Sequence, residues 1–215
     1  MATKRRYVDG CSTAHALDLV GERWALLVVR ELLYGPKRFT DLRTGLPGAS
    51  PNVLSQRLRE LDEAGVLRRT RLAPPAAAWV YELTPWGHEL RPVVAALGVW
   101  GARAPEPPGE GPISVDSMML ALQALYDPAL AEGMVVDVVF RMGEDGFLAE
   151  ITPAGLRLAR EPVAEPDAII RTDALTLNGI LSGRLTMADA HASGDFEVHG
   201  DESVASRFLT LFPTP

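Results

Sequence analysis

Two domains of different class are predicted for this 215-residue chain: a mainly α half that closes on a two-stranded hairpin, and an α+β half built on an antiparallel sheet. Three observations lead there. Apolar residues recur at helical spacing through most of the first half and give way to short β-like runs only after Gly65. The charge is divided: residues 1–104 carry 15 Lys+Arg against 10 Asp+Glu, a balance of +5, and residues 105–215 carry 6 against 18, a balance of −12, which together give the net −7. Between the halves, Ala104-Pro-Glu-Pro-Pro-Gly-Glu-Gly-Pro112 has the composition of an inter-domain linker. The domains are therefore placed at 1–104 and 113–215, with 105–112 as linker.

Composition narrows the function classes. With 47% hydrophobic residues the chain can bury a core. No apolar run approaches the roughly 20 residues that span a bilayer, so no membrane insertion is expected. The basic N-terminal residues are not followed by an apolar segment of the signal-peptide kind. The one cysteine rules out an internal disulfide framework and suits a reducing compartment, so the expected location is cytoplasmic. There is no Gly-x-Ser-x-Gly elbow, His-Glu-x-x-His helix, Walker loop or Gly-x-Gly-x-x-Gly fingerprint, and one Cys with four scattered His does not build a standard zinc site. The reading is of a protein that is not an enzyme and carries neither metal nor cofactor. A basic half joined to an acidic half suits a chain of which only one half meets phosphate.

The first half reads, in order, as helical segments at 12–20 and 22–34, broken near Gly21 and stopped by Gly35-Pro36. A short helix follows at 39–45, then a turn and a second helix at 51–64. That last helix is well signalled. Ser50 stands at the N-cap, Pro51 at N1 and Gly65 at C′, while Leu54, Leu58 and Leu61 form one apolar stripe. Its other face carries Asn52, Ser55, Gln56 and Arg59, side chains that can reach base edges or phosphates from a major groove. A solvated surface helix would show the same polar face; the segment after Gly65 favours the DNA reading. Val66–Leu72 and Trp79–Leu83 are β-like runs around the uncharged loop Ala73-Pro-Pro-Ala-Ala-Ala78, the layout of a wing. A further helix is expected over 85–101, capped by Thr84 and apolar enough for either a dimer interface or an internal core.

The candidate DNA-binding residues are Arg38, Arg43, Ser50, Asn52, Ser55, Gln56, Arg59, Arg68, Arg69 and Arg71. Arg38 and Arg43 flank the short helix and either clamp phosphates or are ordinary surface arginines. Gln56 and Arg59 have the chemistry for base contacts, Gln with adenine and Arg with guanine. Cys11, before the first helix and near Lys4, Arg5 and Arg6, is either a thiol with thiolate character open to redox or electrophile chemistry, or an inert half-buried thiol in a subunit contact.

The pattern Cys11, Leu17-x-x-x-Gly21-x-x-Trp24, Arg30-Glu-Leu-x-x-Gly35-Pro-x-Arg38-Phe-x-x-Leu42, Leu54-x-x-Arg57-Leu-x-x-Leu61-x-x-x-Gly65 and Tyr81-x-Leu-Thr84-x-x-Gly87 resembles the HxlR-type winged helix-turn-helix regulators over about residues 7–103. The resemblance implies a homodimer on a palindromic operator in double-stranded DNA, with dimer contacts from the first and last helices. It also implies that a cysteine near the position of Cys11 can act as a sensor.

In the second half a helix is expected over 113–126, then strands at 134–142, 147–152, 156–160 and 168–171. Helices capped by Asp173 and Thr186, a strand at 195–199 and a final helix capped by Asp201 complete it. The run from Pro166 through Gly183-Arg184-Leu185, Gly194-Asp195-Phe196 and Gly200-Asp201 to Phe208-Leu209 resembles the sterol-carrier-protein type of lipid-binding domain. That resemblance implies an apolar tunnel for an apolar small molecule or lipid. Candidate lining residues are Val138, Phe140, Phe147, Ile170, Leu177, Ile180, Leu181, Leu185, Phe196 and Phe208, all of which would serve equally as ordinary core. The sequence therefore points to a bacterial DNA-binding transcriptional regulator, a homodimer modulated by a hydrophobic molecule in its C-terminal domain. The competing readings are a lipid-binding or carrier protein, and a constitutive repressor whose second domain is purely structural.

Overall fold

The first helix begins at Cys11, whose Sγ accepts the backbone N–H of Ala14 at 3.3 Å and so caps α1 (Ser12–Val20). Helices α2 (Ala25–Leu32), α3 (Phe39–Gly45) and α4 (Pro51–Glu63) follow, then strands β1 (Leu67–Arg71) and β2 (Trp79–Leu83) as an antiparallel pair, and helices α5 (Pro85–His88) and α6 (Arg91–Ala102). The computed structural model describes residues 7–106, 109 and 111–213. Lys4, Arg5 and Arg6, and Pro107, Pro108 and Glu110 of the expected linker, lie outside them. The chain divides into two compact units, Met1–Val94 and Ala95–Pro215, a division that falls within α6.

Two helices differ from expectation for local reasons. Helix α2 starts at Ala25 because Trp24, its N-cap, holds φ +78 in the left-handed region, which breaks the helical run expected from 22. The single helix expected over 85–101 is two helices separated at Glu89-Leu90. Pro92 has no N–H to give the carbonyl of His88, and its ring would collide with that carbonyl in a continuous helix.

The core of the first unit is made by one stripe from each helix. Val28, Val29 and Leu32 of α2, Leu42 of α3 and Leu54, Leu58 and Leu61 of α4 are all at most 1% exposed. Within this apolar setting sits Glu31, with none of its surface exposed. Arg30 donates to its Oε1 from Nε at 3.1 Å and from Nη2 at 2.8 Å, and Lys37 Nζ donates to its Oε2 at 2.9 Å. The carboxylate also lies on the end of α3, where a Cβ at Gly45 would collide with Oε2. Lys37 in turn pairs by both backbone groups with Tyr81 of β2, at 3.0 and 2.8 Å. One buried carboxylate thus ties α2, the end of α3 and the hairpin together.

In the second unit, α7 (Val115–Leu125) and the short α8 (Pro128–Ala131) precede strands β3 (Val136–Met142), β4 (Asp145–Thr152), β5 (Gly155–Ala159) and β6 (Ala168–Thr172). Helices α9 (Ala174–Leu181) and α10 (Met187–Ser193), strand β7 (Phe196–Gly200) and helix α11 (Glu202–Leu209) complete it. The five strands form one sheet in the order β5-β4-β3-β6-β7. The expected antiparallel sheet is corrected here to a mixed one, because β6 runs parallel to β3, with Phe140 opposite Ile170. After the β3-β4-β5 meander the chain crosses back through residues 160–167 to the free edge of β3, entering from the end at which β3 began. The helix starts are held by the side chains expected to hold them: Asp173, Thr186 and Asp201 each accept backbone N–H groups of the first turn. Burial alone would push the Asp173 carboxyl up, but bonds from the N–H and hydroxyl of Thr176 and the N–H of Leu175 outweigh it and hold it below the ordinary carboxylate range.

Replacing Glu31 by Gln leaves Arg30 and Lys37 facing a neutral side chain. The expected loss is about 3 kcal/mol of unfolding free energy, toward the low end for a broken buried pair because both cations keep some access to water. Urea unfolding of the E31Q variant measures it, and a loss below about 1 kcal/mol, the scale of a surface pair, would show that the cluster does not organise this unit.

Candidate nucleic-acid interface

Helix α4 is positioned from both ends. Ser50 Oγ accepts the N–H of Val53 at 3.4 Å, and Pro51 occupies the first helical position, where no donor is needed. At the other end Gly65 takes φ +74, and the N–H of Val66 bonds back to the Leu61 carbonyl at 2.9 Å, closing the helix in a Schellman turn. Leu54, Leu58 and Leu61 face inward, and α4 packs on α1, α2 and β1. Their burial leaves Asn52, Ser55, Gln56 and Arg59 exposed together, at the spacing of one helical face.

These four are not equivalent. Gln56 Nε2 donates to Glu60 Oε1 at 2.9 Å, so the amide is already held by its own helix. Arg59 is exposed and has no ion-pair partner among the described residues, and the same holds for Arg38, at the N-cap of α3, and Arg43 within it. Asp41 accepts the backbone N–H of Arg38 at 3.0 Å, fixing the start of α3 without touching the guanidinium. In the hairpin, alternation separates the three arginines: Arg69 and Arg71 share a face, and Arg68 lies on the other, bonded to Glu82 at 2.8 Å. The candidate residues are therefore brought onto two helices and a hairpin of one unit, with Arg68 set apart from its neighbours.

Arg57 is not among the expected interface residues. It is 8% exposed on the buried side of α4, ion-paired with Glu60 and 3.6 Å from Glu22. Its i,i+3 spacing to Glu60, and the i,i+4 spacing of Gln56 to the same residue, are legible in the sequence as helix-face pairs. Nothing in the sequence signals the cleft of about 440 Å³ beside the start of α4, where Arg23 lies over the Trp24 ring at 5.4 Å and Arg57 forms part of the wall.

Cys11 is exposed. Its backbone N–H bonds to the Asp9 carboxylate at 2.9 Å, and its Sγ accepts the N–H of Ala14.

In the second unit, Val138, Phe140, Phe147, Ile170, Leu177, Phe196 and Phe208 are buried, whereas Ile180, Leu181 and Leu185 are only half-buried. The Phe140 and Phe208 rings lie 5.8 Å apart and Phe208 and Phe212 5.1 Å apart, tilted as packed aromatic pairs prefer. Buried Asp116 on α7 accepts from Arg160 Nη2 at 2.9 Å, and the same guanidinium binds Asp145 and lies 4.2 Å from the centre of the Phe147 ring. An open hollow of about 500 Å³ at the sheet end is polar, lined by Arg141, Arg171, Asp173, Asp195 and Glu197. No group of three or more His, Cys, Asp or Glu suited to a metal occurs among the described residues, and none of the described helices is long and apolar enough to cross a membrane.

A helical unit in which α3 and α4 pack on α2 and a two-stranded hairpin follows α4 is a winged helix-turn-helix. The family described as HxlR-like helix-turn-helix matches residues 19–107. The chain is 35% identical over 92 residues to the uncharacterized HTH-type transcriptional regulator YvaP of Bacillus subtilis, a match covering 43% of this chain and 85% of that one. It is also 35% identical over 96 residues to the uncharacterized HTH-type transcriptional regulator YtfH of Escherichia coli, covering 44% and 75%. Against the reduced form of the transcriptional regulator YodB from B. subtilis the identity is 30%, covering 47% of this chain and all of that one, with a TM-score of 0.41. This chain belongs to the HxlR-like helix-turn-helix family.

Proposed function

We propose that the protein is a transcriptional regulator that binds a palindromic operator in double-stranded DNA as a homodimer, placing α4 in the major groove. The observation that carries this reading is the exposed face of α4, where Arg59 stands without an ion pair among the described residues beside Asn52 and Ser55. Arg38, at the N-cap of α3, and Arg43 within it supply further positive charge that has no ion pair among the described residues. Family membership and the +5 balance of residues 1–104 support it, since phosphate contacts supply affinity and side chains on a groove-bound helix supply sequence preference.

Dimer formation is supported by α6, which leaves Val93, Leu97 and Trp100 exposed at i, i+4 and i+7, with 75% of Trp100 in solvent. An exposed apolar stripe of that kind suits burial against a second copy of the helix. For the second unit we propose a sterol-carrier-like shell that takes an apolar molecule and biases DNA affinity, with the half-burial of Ile180, Leu181 and Leu185 supporting entry near α9. The close aromatic packing of Phe140, Phe208 and Phe212 favours a second reading, in which the interior is filled and the unit is structural.

Selection of bound sequences from random duplexes should yield a two-fold symmetric site. Arg59→Ala should weaken binding to it by about 1–3 kcal/mol and relax preference at one position per half-site; equal binding of all duplexes by the wild type would overturn the reading. Trp100→Glu should give a monomer in light scattering. Native mass spectrometry of protein purified from its host decides between the two readings of the second unit: one apolar molecule per chain supports the receptor, and a clean apo mass supports the filled structural unit.

A further inference from the structure

The two faces of the β1–β2 hairpin differ in how their charge is used. Arg68 stands opposite Glu82 in the register and donates to its carboxylate at 2.8 Å, so its charge is met within the hairpin. On the other face Arg69 stands opposite Tyr81, and Arg71 opposite Trp79. Arg69 lies over the Trp79 ring at 4.7 Å, and Arg71 Nε bonds only to the Ala77 carbonyl, at 3.4 Å. Neither Arg69 nor Arg71 has an ion-pair partner among the described residues. Trp79 is 52% exposed, although a tryptophan in a folded unit is normally well covered. The loop between the strands, Ala73-Pro-Pro-Ala-Ala-Ala78, has no charge to offer at the tip.

From this asymmetry we infer that the hairpin meets duplex DNA with one side, the face of Arg69, Arg71 and Trp79, laid along the sugar-phosphate backbone, while Arg68 contacts no phosphate. This rests on the DNA-binding reading above. Two residues apart on a strand, Arg69 and Arg71 are spaced by about 6.6–6.8 Å, so each can take its own phosphate. A guanidinium held over an indole face, as Arg69 is over Trp79 at 4.7 Å, needs no carboxylate to fix it and can still donate to a phosphate oxygen. The apolar indole is left to pack on deoxyribose. On the opposite face the Glu82 carboxylate both neutralises Arg68 and repels phosphate, so a strand edge approaching there gains nothing.

The test is a salt titration of binding to a duplex of arbitrary sequence several helical turns long, with full-length wild type and single variants whose folding is checked by circular dichroism and melting. Arg69→Gln and Arg71→Gln should each reduce the slope of log K against log salt by about 0.9, the share of one phosphate. Arg69→Lys, which keeps the charge, should retain the slope. Trp79→Ala should leave the slope in place and weaken binding about two- to fivefold, through lost support of Arg69. Arg68→Gln, which removes no phosphate contact but leaves Glu82 unpaired, should keep the slope of the wild type. If Arg68→Gln lowers the slope as much as Arg69→Gln, or if both face variants leave it unchanged, the one-sided contact is overturned. Failure of the wild type to bind the duplex in a salt-dependent way would instead overturn the DNA reading on which the inference rests.

Discussion

A single carboxylate inside an apolar core sets the geometry of the first unit. Taking a charge out of water is expensive, and it persists only where opposite charges and hydrogen bonds meet it. Glu31 is met by Arg30 from its own helix and by Lys37 from the segment that pairs with β2, and it leaves room at the end of α3 for no side chain larger than that of Gly45. Each partner belongs to a different part of the winged helix-turn-helix. Helix α2 cannot rotate away from Lys37 without separating a buried charge from its counter-charge, Lys37 carries the hairpin through its backbone pairing with Tyr81, and α3 is held close by the fit of Gly45. An apolar core tolerates small shifts at small cost. A buried ion cluster does not, and this makes it suited to fixing the relative placement of a helix and a hairpin that share a task.

The features legible in the sequence are those whose cause is local. Ser50, Pro51 and Gly65 bound α4 through contacts no more than five residues away, and the inward leucines follow from period alone. The caps at Thr84, Asp173, Thr186 and Asp201 have the same origin and stand where the residue types place them. What escaped depends on partners distant in the chain. The parallel pairing of β6 with β3 is decided by how the crossover returns, which no pattern within either strand records. Arg68, Arg69 and Arg71 look alike in sequence and differ only through the residues that β2 sets opposite them. Arg57 reads as one more polar residue on α4, yet it is buried, with Glu22, far back in the chain, 3.6 Å from its guanidinium. The break before α6 is the exception: Pro92 is a local signal, outweighed in the sequence by the apolar period around it.

The recognition surface shows the same division. Spacing alone places Asn52, Ser55, Gln56 and Arg59 on one face, and the structure exposes all four. Their readiness differs for reasons spacing does not carry. Gln56 must leave Glu60 before it can bond elsewhere, whereas Arg59 has no ion pair to give up among the described residues. In the second unit the apolar pattern marks core positions well but cannot distinguish a lined tunnel from a filled interior, because both need the same residue types. That distinction lives in packing, and the aromatic contacts around Phe208 are its visible part.

The mixed sheet bears on how the chain comes into being. The first unit is mostly helical, so much of its structure rests on neighbours in sequence, the arrangement that forms fastest. The second cannot close its sheet until β6 has been made and carried back to β3, from which it is separated by the whole meander and the crossover. At about 5–20 residues per second, ribosomal synthesis leaves the inner edge of β3 without its partner for a few seconds after β3 itself has emerged. The helix-turn-helix unit has by then been made in full, and the sheet that follows it still has an open strand edge. The order of completion is thus written into the topology: the half that carries the candidate DNA surface has been made in full before the sheet of the acidic half can close.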